Sequence, residues 1–328
     1  MELLSLDALT SAPEPFDAAV AATSDIDHFC SSSAWIVPAH AAFHAQQRPF
    51  VWRSDDGWLA LSRGETFGLG RYLAPLEAMW GLACPLVGPD PRRLARGAVD
   101  ALEACHAEWD ALWLGGLVKD GPLFRELAAR LTVKLNATLR LGPSTVRWTA
   151  SLDGGYEGWL GRRSAKFRAN ARRVVAKARA SGLALEWHEA IDVDAAAALY
   201  ERILAIEARS WKGQEGSGFV GGDMRTFYRL MVPRLAATGR LRALVATLGG
   251  EDVAFVFGGV FAGTYRGLQV SFDDRFRALA LGNVMQCEMI DRLAAGGVLT
   301  YDLGSDMDYK ARWAERGLET VTLVAFTR

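Results

Sequence analysis

Several features that define common protein classes are missing from this sequence. It has four cysteines among 328 residues and no CxxC pair, so neither a disulfide framework nor a cysteine zinc site is predicted. The longest apolar run without charge, residues 253–265, is too short to cross a membrane. The N-terminus has an early acid and no basic cluster before an apolar segment, so we expect no secretory signal. These absences predict a cytoplasmic protein with reduced thiols.

Sequence motifs of several enzyme classes are missing as well. There is no G-x-S-x-G nucleophile elbow, no Walker loop and no complete G-x-G-x-x-G. His40 and His44 are one helical turn apart, but no third ligand follows at a zinc-site spacing, so we expect no metal. Half of the residues are hydrophobic and 23% are charged, which is typical of a globular chain with one large or two medium domains.

Positive charge is concentrated in one segment, residues 162–179. The segment has eight basic side chains and no acidic one, although the formal net charge of the whole chain is −1. At 3.6 residues per turn, small and apolar residues form a narrow stripe from Leu160 to Ala178, and Ser181-Gly182 predicts the end of the helix.

A helix that packs by one thin seam and presents guanidinium groups elsewhere suits an anionic partner. The alternative is a solvated face paired with acids from other elements. The lack of interleaved acids favours the first interpretation. We select Arg168, Arg172 and Arg173 as ligand contacts.

Turn residues and hydrophobic patterns divide the chain into short elements. In the first half we predict a hairpin at 49–52 and 58–61, helices at 91–109 and 122–131, and strands at 112–117, 133–141 and 144–152. In the second half we predict strands at 183–188, 241–248, 253–261, 265–272, 299–303 and 319–326, with helices at 193–209, 224–237, 281–294 and 309–315. The turn cluster Ser151–Gly155 predicts a boundary between domains 1–152 and 153–328.

A set of motifs follows this order in the second half: Ser164 to Arg173, Glu207 to Trp211, Ser271-Phe-Asp-Asp274, the helix that begins near Gly282, and Tyr301-Asp-Leu-Gly304 followed by Asp308-Tyr309-Lys310 and Trp313. With these motifs the second half resembles a GCN5-related N-acetyltransferase (GNAT) domain. More narrowly, it is similar to the CelD/BcsL-like acetyltransferases, relatives of the Fem aminoacyl transferases. The first half, with Ser33-Ala-Trp35 and its hairpin, is similar to the N-terminal half of that family.

The resemblance implies an α/β (α+β) fold: tandem GNAT-like folds with mixed, mostly antiparallel sheets flanked by helices, the N-terminal copy being degenerate. The chain departs from the family pattern at residues 277–281, which lack a repeated-glycine pyrophosphate loop. The donor is therefore left open between an acyl-CoA and an aminoacyl-tRNA.

Acyl transfer needs a donor held by its leaving group and stabilisation of a tetrahedral oxyanion. Gly282 and Asn283, at a helix start, would offer N–H groups to a pyrophosphate, and Arg275 and Arg277 flank this turn. The alternatives are a plain strand-to-helix turn and ordinary surface arginines.

The resemblance implies that Lys310 stabilises developing charge or positions the donor carbonyl. A surface lysine balanced by nearby carboxylates is the other interpretation. Asp273 and Asp274 close a central strand and are candidate proton acceptors, although turn carboxylates more commonly cap backbone N–H groups. Glu207, Trp211 and Tyr309 are selected as acceptor contacts, and residues 213–222 as a mobile loop beside them.

The sequence thus predicts an acyltransferase. We expect it to transfer an acyl group, with acetyl as the first expectation, from acyl-CoA to an amine or hydroxyl of a sugar, amino acid or peptide. Two alternatives remain: a Fem-like aminoacyl-tRNA-dependent ligase, in which the basic helix contacts tRNA, and a catalytically silent subunit that binds an anionic polymer or a protein partner.

Overall fold

The structure is a computed structural model that describes residues 1–327. The chain divides into two compact units, one formed by Met1–Val146 and the segment from Leu318, the other by Arg147–Gly317. The sequence placed the boundary at 152 and assigned the whole C-terminus to the second domain. Strand pairing explains the difference, because one strand runs unbroken through 146 and the last strand pairs with a strand of the first unit.

The first unit is built on antiparallel strands followed by a helix and a parallel strand. Its strands are β1 (Glu2–Leu4), β2 (Arg48–Ser54), β3 (Gly57–Thr66), β4 (Gly70–Pro75), β5 (Leu86–Val87), β6 (Ala111–Leu117) and the first part of β7 (Thr138–Ser151). Its helices are α1 (Asp7–Thr10), α2 (Glu14–Ala22), α3 (His28–Ser31), α4 (Ser33–Phe43), α5 (Pro91–Ala104) and α6 (Pro122–Leu135).

The sheet of the first unit confirms the predicted hairpin of β2 and β3. Strand β3 also pairs with β4, and β4 pairs with β6 in parallel over two residues. Helix α5 begins after Asp90 as predicted but ends at Ala104. The strand predicted at 133–141 is wrong in its first part, because α6 continues to Leu135 and ends at Asn136 in the left-handed conformation.

The second unit repeats this plan with longer elements. Its helices are α7 (Gly155–Gly161), α8 (Ala165–Ala180), α9 (Val193–Ala208), α10 (Trp211–Gln214), α11 (Gly222–Ala237) and α12 (Leu281–Ala295). Its strands are the end of β7, then β8 (Ala184–Glu189), β9 (Leu241–Leu248), β10 (Glu251–Phe261), β11 (Thr264–Phe272), β12 (Thr300–Ser305) and the start of β13 (Glu315–Phe326). Short 3₁₀ turns at Asp274–Leu279 and Asp308–Arg312 precede α12 and β13.

The sheet of the second unit has the order β7-β12-β11-β10-β9-β8. Its pairings are antiparallel except that of β11 with β12, which is parallel. Alternate residues of β10 lie on opposite faces of the sheet and pack in the core on each side. Ala254 and Val256 pack in the cluster that includes α7, α8 and α12, whereas Phe255 and Phe257 contact the aromatic rings of Phe219 and α11.

The basic segment forms α8, and the predicted narrow seam is present. Ala171, Val174 and Ala178 are buried, and the Ser164 side chain caps the helix start by accepting from Phe167 N–H. Leu160 belongs to the separate helix α7, so the predicted stripe spans a break at residues 162–164. Within residues 1–327, every helix is too short or too polar to span a membrane.

Candidate active site

Strands β11 and β12 pair only at their beginnings and then diverge. The parallel ladder joins Thr264–Arg266 to Thr300–Asp302. Beyond Arg266, β11 continues along β10 for six residues to Phe272, without β12 beside it. The two parallel strands of the second unit therefore separate at their carboxyl ends, and we call the gap between these ends the cleft.

A buried ion pair lies where the strands separate. Arg266 Nη1 is 2.6 Å from Asp302 Oδ2, and both side chains are nearly inaccessible. The other Asp302 oxygen, Oδ1, accepts the N–H of Gly304 at 2.6 Å. The Asp302 carboxylate therefore holds both the neighbouring strand β11, through Arg266, and the backbone that follows Asp302, through Gly304.

Lys310 lies next to this pair and is buried, contrary to the interpretation of a surface lysine. Its Nζ donates to Ser305 O, the carbonyl of the last residue of β12, at 2.6 Å. Burial, and then the nearby Arg266 charge, lower the pKa of Lys310 to about 8. A desolvated ammonium at the edge of a cleft is suited to stabilising negative charge on a bound carbonyl.

The far part of β11 presents a free backbone edge to the cleft. Asp273 N–H bonds to Val253 O at 2.8 Å, so these two residues form a hydrogen-bonded pair. Because bonded and non-bonded pairs alternate between antiparallel strands, Val270 and Phe272 direct their N–H and C=O groups away from β10, toward the side that β12 has left.

Helix α12 begins beside the end of this free edge. The chain enters it through Ala280 in the left-handed conformation, and no side chain caps the first turn. The first intrahelical bonds come from the N–H groups of Asn283 and Val284 to Ala280 O, so Leu281 and Gly282 N–H precede them. An uncapped helix start of this kind favours an anion.

The charged residues of the turn before α12 are paired with one another. Asp273 is buried and accepts from Arg209 at 2.7 Å and from Arg275 at 2.8 Å. Arg277 pairs with Asp274 at 2.8 Å. The hydrogen bond from Arg275 above all lowers the pKa of Asp273 to about 2, which argues against this carboxylate as the proton acceptor. Arg275 and Arg277 already have carboxylate partners, so a phosphate would have to share these two guanidinium groups with the carboxylates.

Another polar cluster approaches the free edge from α9 and α10. Glu207 is fully buried, and its Oε2 accepts from Ser210 Oγ at 3.1 Å. Lys212 Nζ donates to Val270 O at 3.1 Å and lies 3.9 Å from Glu207 Oε1. Gln269 of β11 donates to Tyr228 OH at 3.0 Å. Buried charges thus face the cleft on this side as well.

The exposed aromatic residues selected from the sequence lie on the surface near these groups. Trp211, the first residue of α10, is 44% exposed, and Tyr309 is 43% exposed. The Tyr309 ring centroid is 5.9 Å from Lys310 Nζ. These side chains are accessible to a ligand at positions adjacent to the two lysines.

The basic helix α8 lies beside the turn before α12. Lys177 Nζ donates to Ala278 O, just before α12, at 2.8 Å. Among the selected arginines, Arg168 donates to Arg163 O, Arg173 to Asn170, and Arg172 to Glu157. Other members of the helix region pair with carboxylates from elsewhere, as Arg179 does with Glu288. The positive face is therefore partly balanced by other elements.

The first unit has the same divergence, of β4 from β6, but its cleft is closed. The segment around Ala83 packs on Gly116, where a side chain would come within 2.5 Å of Ala83 C. The buried Glu77 carboxylate holds this segment by accepting from Leu82 and Ala83 N–H, each at 3.2 Å. Asp90 already caps the start of α5. The segment around Ala83 thus fills the position that corresponds to the cleft of the second unit.

Several of these site residues were not selected from the sequence. Arg266, Lys212, Gln269 and Tyr228 have no motif of their own. A charged residue inside an otherwise apolar strand was the available signal for Arg266, since such a charge is buried only with a partner. Lys212 follows Trp211 directly, but the sequence around it is typical of an ordinary loop lysine.

Comparisons with known proteins agree with this geometry. A family model described as an acetyltransferase (GNAT) domain matches residues 165–311. No curated protein sequence matches the chain. Three solved structures are similar over nearly the whole chain. FemX has a TM-score of 0.65 at 13% identity, covering 98% of this chain and 97% of the other. L-PGS from Bacillus licheniformis has a TM-score of 0.55 at 11% identity, covering 96% of this chain and 91% of the other. A tandem GNAT protein from the clavulanic acid biosynthesis pathway has a TM-score of 0.50 at 14% identity, covering 98% of this chain and 96% of the other.

The fold is thus tandem GNAT-like, and residues 165–311 match the acetyltransferase (GNAT) domain model. The domain match supports an acyl or aminoacyl transferase, and the narrower CelD/BcsL-like grouping stays a prediction.

Proposed function

We propose that the protein is an acyltransferase whose reaction centre is the cleft between β11 and β12. The observation that carries this proposal is the free edge of β11, which leads directly to the uncapped start of α12. A donor with amide groups and a terminal anion fits this combination, because strand edges bind extended amides and helix starts bind phosphates. Acyl-CoA has both features, and acetyl-CoA is the acyl-CoA that we propose first as the donor.

In this proposal the N–H groups of Leu281 and Gly282 face the donor's phosphates, whereas Asn283 N–H already bonds to Ala280 O. The backbone of Val270 and Phe272 binds the donor's amide portion. Lys310 stabilises the oxyanion that forms at the acyl carbon. Its ammonium is held by Ser305 O, so it needs little reorganisation when charge develops. The acceptor, an amine or hydroxyl of a sugar, amino acid or peptide, approaches past Trp211 and Tyr309.

A second candidate donor is an aminoacyl-tRNA. The observation that favours it is the position of α8, which carries the exposed Arg172 and Arg173 and contacts the turn before α12 through Lys177. RNA phosphates would then contact α8, and affinity would fall steeply with salt because counterions are released on binding.

Native mass spectrometry of the purified protein against acetyl-CoA, longer acyl-CoAs and charged tRNA tests the donor assignment. Specific retention of an acyl-CoA, lost in a Gly282→Val variant, supports the first donor. Retention of charged tRNA with a steep salt dependence supports the second. Binding of neither donor would overturn the proposed activity and leave a silent binding subunit.

A further inference from the structure

A cavity of about 310 Å³ lies between helices α7, α8 and α12 of the second unit. This volume is in the range of small-molecule sites, about 300–1,000 Å³. Every residue that lines the cavity belongs to one of these three helices, so the cavity is separate from the cleft between β11 and β12. One of its walls is α8, the helix that carries the concentrated positive charge.

The α8 wall supplies two guanidinium groups. Arg172 and Arg179 line the cavity and are two helical turns apart, so they lie on the same face of α8. Arg172 is paired with Glu157 at 3.0 Å, but both side chains are exposed, and an exposed pair of this kind contributes little to stability. The exposed Arg173 side chain has one partner within the described residues, the neutral amide oxygen of Asn170. This wall can therefore accept a phosphate at little cost.

The α12 wall supplies two carboxylates with free oxygens. Glu288 is 7% exposed; its Oε1 accepts from Arg179 at 2.8 Å, and its Oε2 has no partner among residues 1–327. Asp291, one turn further along α12 and exposed, forms no hydrogen bond or ion pair within the same part of the chain. Because carboxylates away from bulk water are stabilised by hydrogen-bond donors, this wall favours a ligand that carries N–H groups.

The rest of the lining is aromatic or apolar. The half-buried Tyr156 of α7 lies on one side, and Val175 of α8 and the buried Cys287 of α12 complete the surface. Aromatic and aliphatic side chains bind the face of a nucleobase, whereas charged side chains bind its edge and its phosphate. The cavity therefore combines phosphate contacts, a surface for a flat ring, and acceptors for N–H groups.

We propose that this cavity binds a guanine nucleotide, either free or within single-stranded RNA, with the phosphate on Arg172 and Arg173 and the base between the two walls. Guanine carries two neighbouring N–H donors on its Watson–Crick edge, N1–H and the N2 amino group, and one carboxylate accepts both. Both oxygens of Asp291 are free for this contact. Adenine has an acceptor at N1, which a carboxylate repels. The site goes beyond the proposed acyltransferase function and is independent of the donor.

Calorimetric titration of the full chain with GMP, IMP and AMP, without donor or acceptor, tests the base contact. The three nucleotides have the same sugar and phosphate, but IMP lacks the N2 amino group and AMP lacks both that group and N1–H. We expect GMP to bind about tenfold more tightly than AMP, with IMP between them, because a bidentate contact gives about this discrimination. Equal affinities for GMP and AMP, or no binding of GMP at millimolar concentration, would overturn the proposal.

Two variants assign the contacts to the two walls. Asp291→Asn should remove the preference for GMP and leave the affinity for AMP unchanged, because only the base contact is altered. Arg172→Gln should weaken GMP and AMP by the same factor, since both share the phosphate. Asp194→Asn, at an exposed carboxylate of α9, is the matched control and should bind as wild type does. A preference for GMP that persists in Asp291→Asn would contradict the assignment of the base to this cavity.

Two further comparisons identify the source of the nucleotide and separate it from the donor. An RNA octamer of adenosines with one central guanosine that binds more tightly than both GMP and the all-adenosine octamer, with a steep salt dependence, assigns the site to RNA. Equal affinities for the two octamers, with the preference for GMP retained, assign it to a free nucleotide. Gly282→Val should lose acetyl-CoA but keep GMP. Loss of GMP in this variant, or displacement of GMP by acetyl-CoA, would overturn the separate cavity, whereas failure of wild type to bind any donor would overturn the proposed activity alone.

Discussion

Arg266 and Asp302 are the last paired residues of the parallel ladder between β11 and β12, and their side chains form a buried ion pair 2.6 Å long. The pair therefore marks the point from which the two strands diverge. Removing one partner leaves the other charge buried without this ion pair, whereas removing both leaves no buried charge of the pair.

Arg266→Met should therefore lower the free energy of unfolding strongly, by roughly 3–5 kcal/mol. The double variant Arg266→Met/Asp302→Asn should lose clearly less than the sum of the two single variants. Urea denaturation of the four proteins measures this coupling. Simple additivity would show that the pair does not act as a unit.

Lys310→Ala should remove an interaction made chiefly in the transition state. We expect kcat and kcat/KM to fall together, by about 10²–10³, with little change in donor Kd. Lys310→Arg should rescue poorly, since a planar guanidinium does not replace a compact ammonium held by Ser305 O. Asp308→Asn, at an exposed carboxylate, is the matched control and should be mild. Wild-type turnover of Lys310→Ala would assign the lysine to structure alone.

Burial of Lys310 also predicts a pH dependence of stability. Its pKa is lowered from 10.5 to about 8 in the folded protein, so between these values the unfolded chain binds more protons and stability rises with pH. Lys310→Met lacks this contribution. Relative to Lys310→Met, wild type should gain on the order of 2–3 kcal/mol from pH 8 to 10.5. Denaturation curves at several pH values measure the difference, and parallel curves for the two proteins would contradict the burial of the ammonium.

The basic face of α8 should serve a ligand more than stability. Replacing Arg168, Arg172 and Arg173 with Gln should change the free energy of unfolding by only about 1 kcal/mol. Arg172 and Arg173 are exposed, and the half-buried Arg168 loses one hydrogen bond to Arg163 O. Affinity for the anionic donor should fall strongly, with a shallower salt dependence. Binding measurements at several salt concentrations check this, and unchanged affinity in the folded triple variant would refute it.

The sequence predicted much of the second unit because its signals are local. The strands at 241–272 alternate clearly, Gly282 lies in the first turn of a helix that starts at Leu281 as predicted, and Lys310 follows a strand end. It could not predict the pairing of Arg266 with Asp302, because this contact joins residues that only the parallel ladder brings together. The balance of α8 by Glu157 and Glu288 depends on tertiary contacts in the same way.

The start of α12 offers a prediction with an internal control. A Cβ at position 282 would lie 3.5 Å from the Phe272 ring, an ordinary contact, so Gly282→Ala should fold and bind donor nearly as wild type does. In a helix the Cα–Cβ bond tilts toward the N-terminus, so the branched methyl groups of Gly282→Val project toward the free N–H groups. This variant should lose donor binding by a factor of ten or more, about 1.4 kcal/mol, while the protein stays folded. Titration of both variants with acetyl-CoA checks the pair. Equal, wild-type affinity in Gly282→Val, or a cross-link that places the donor in the first unit, would move the phosphates away from α12.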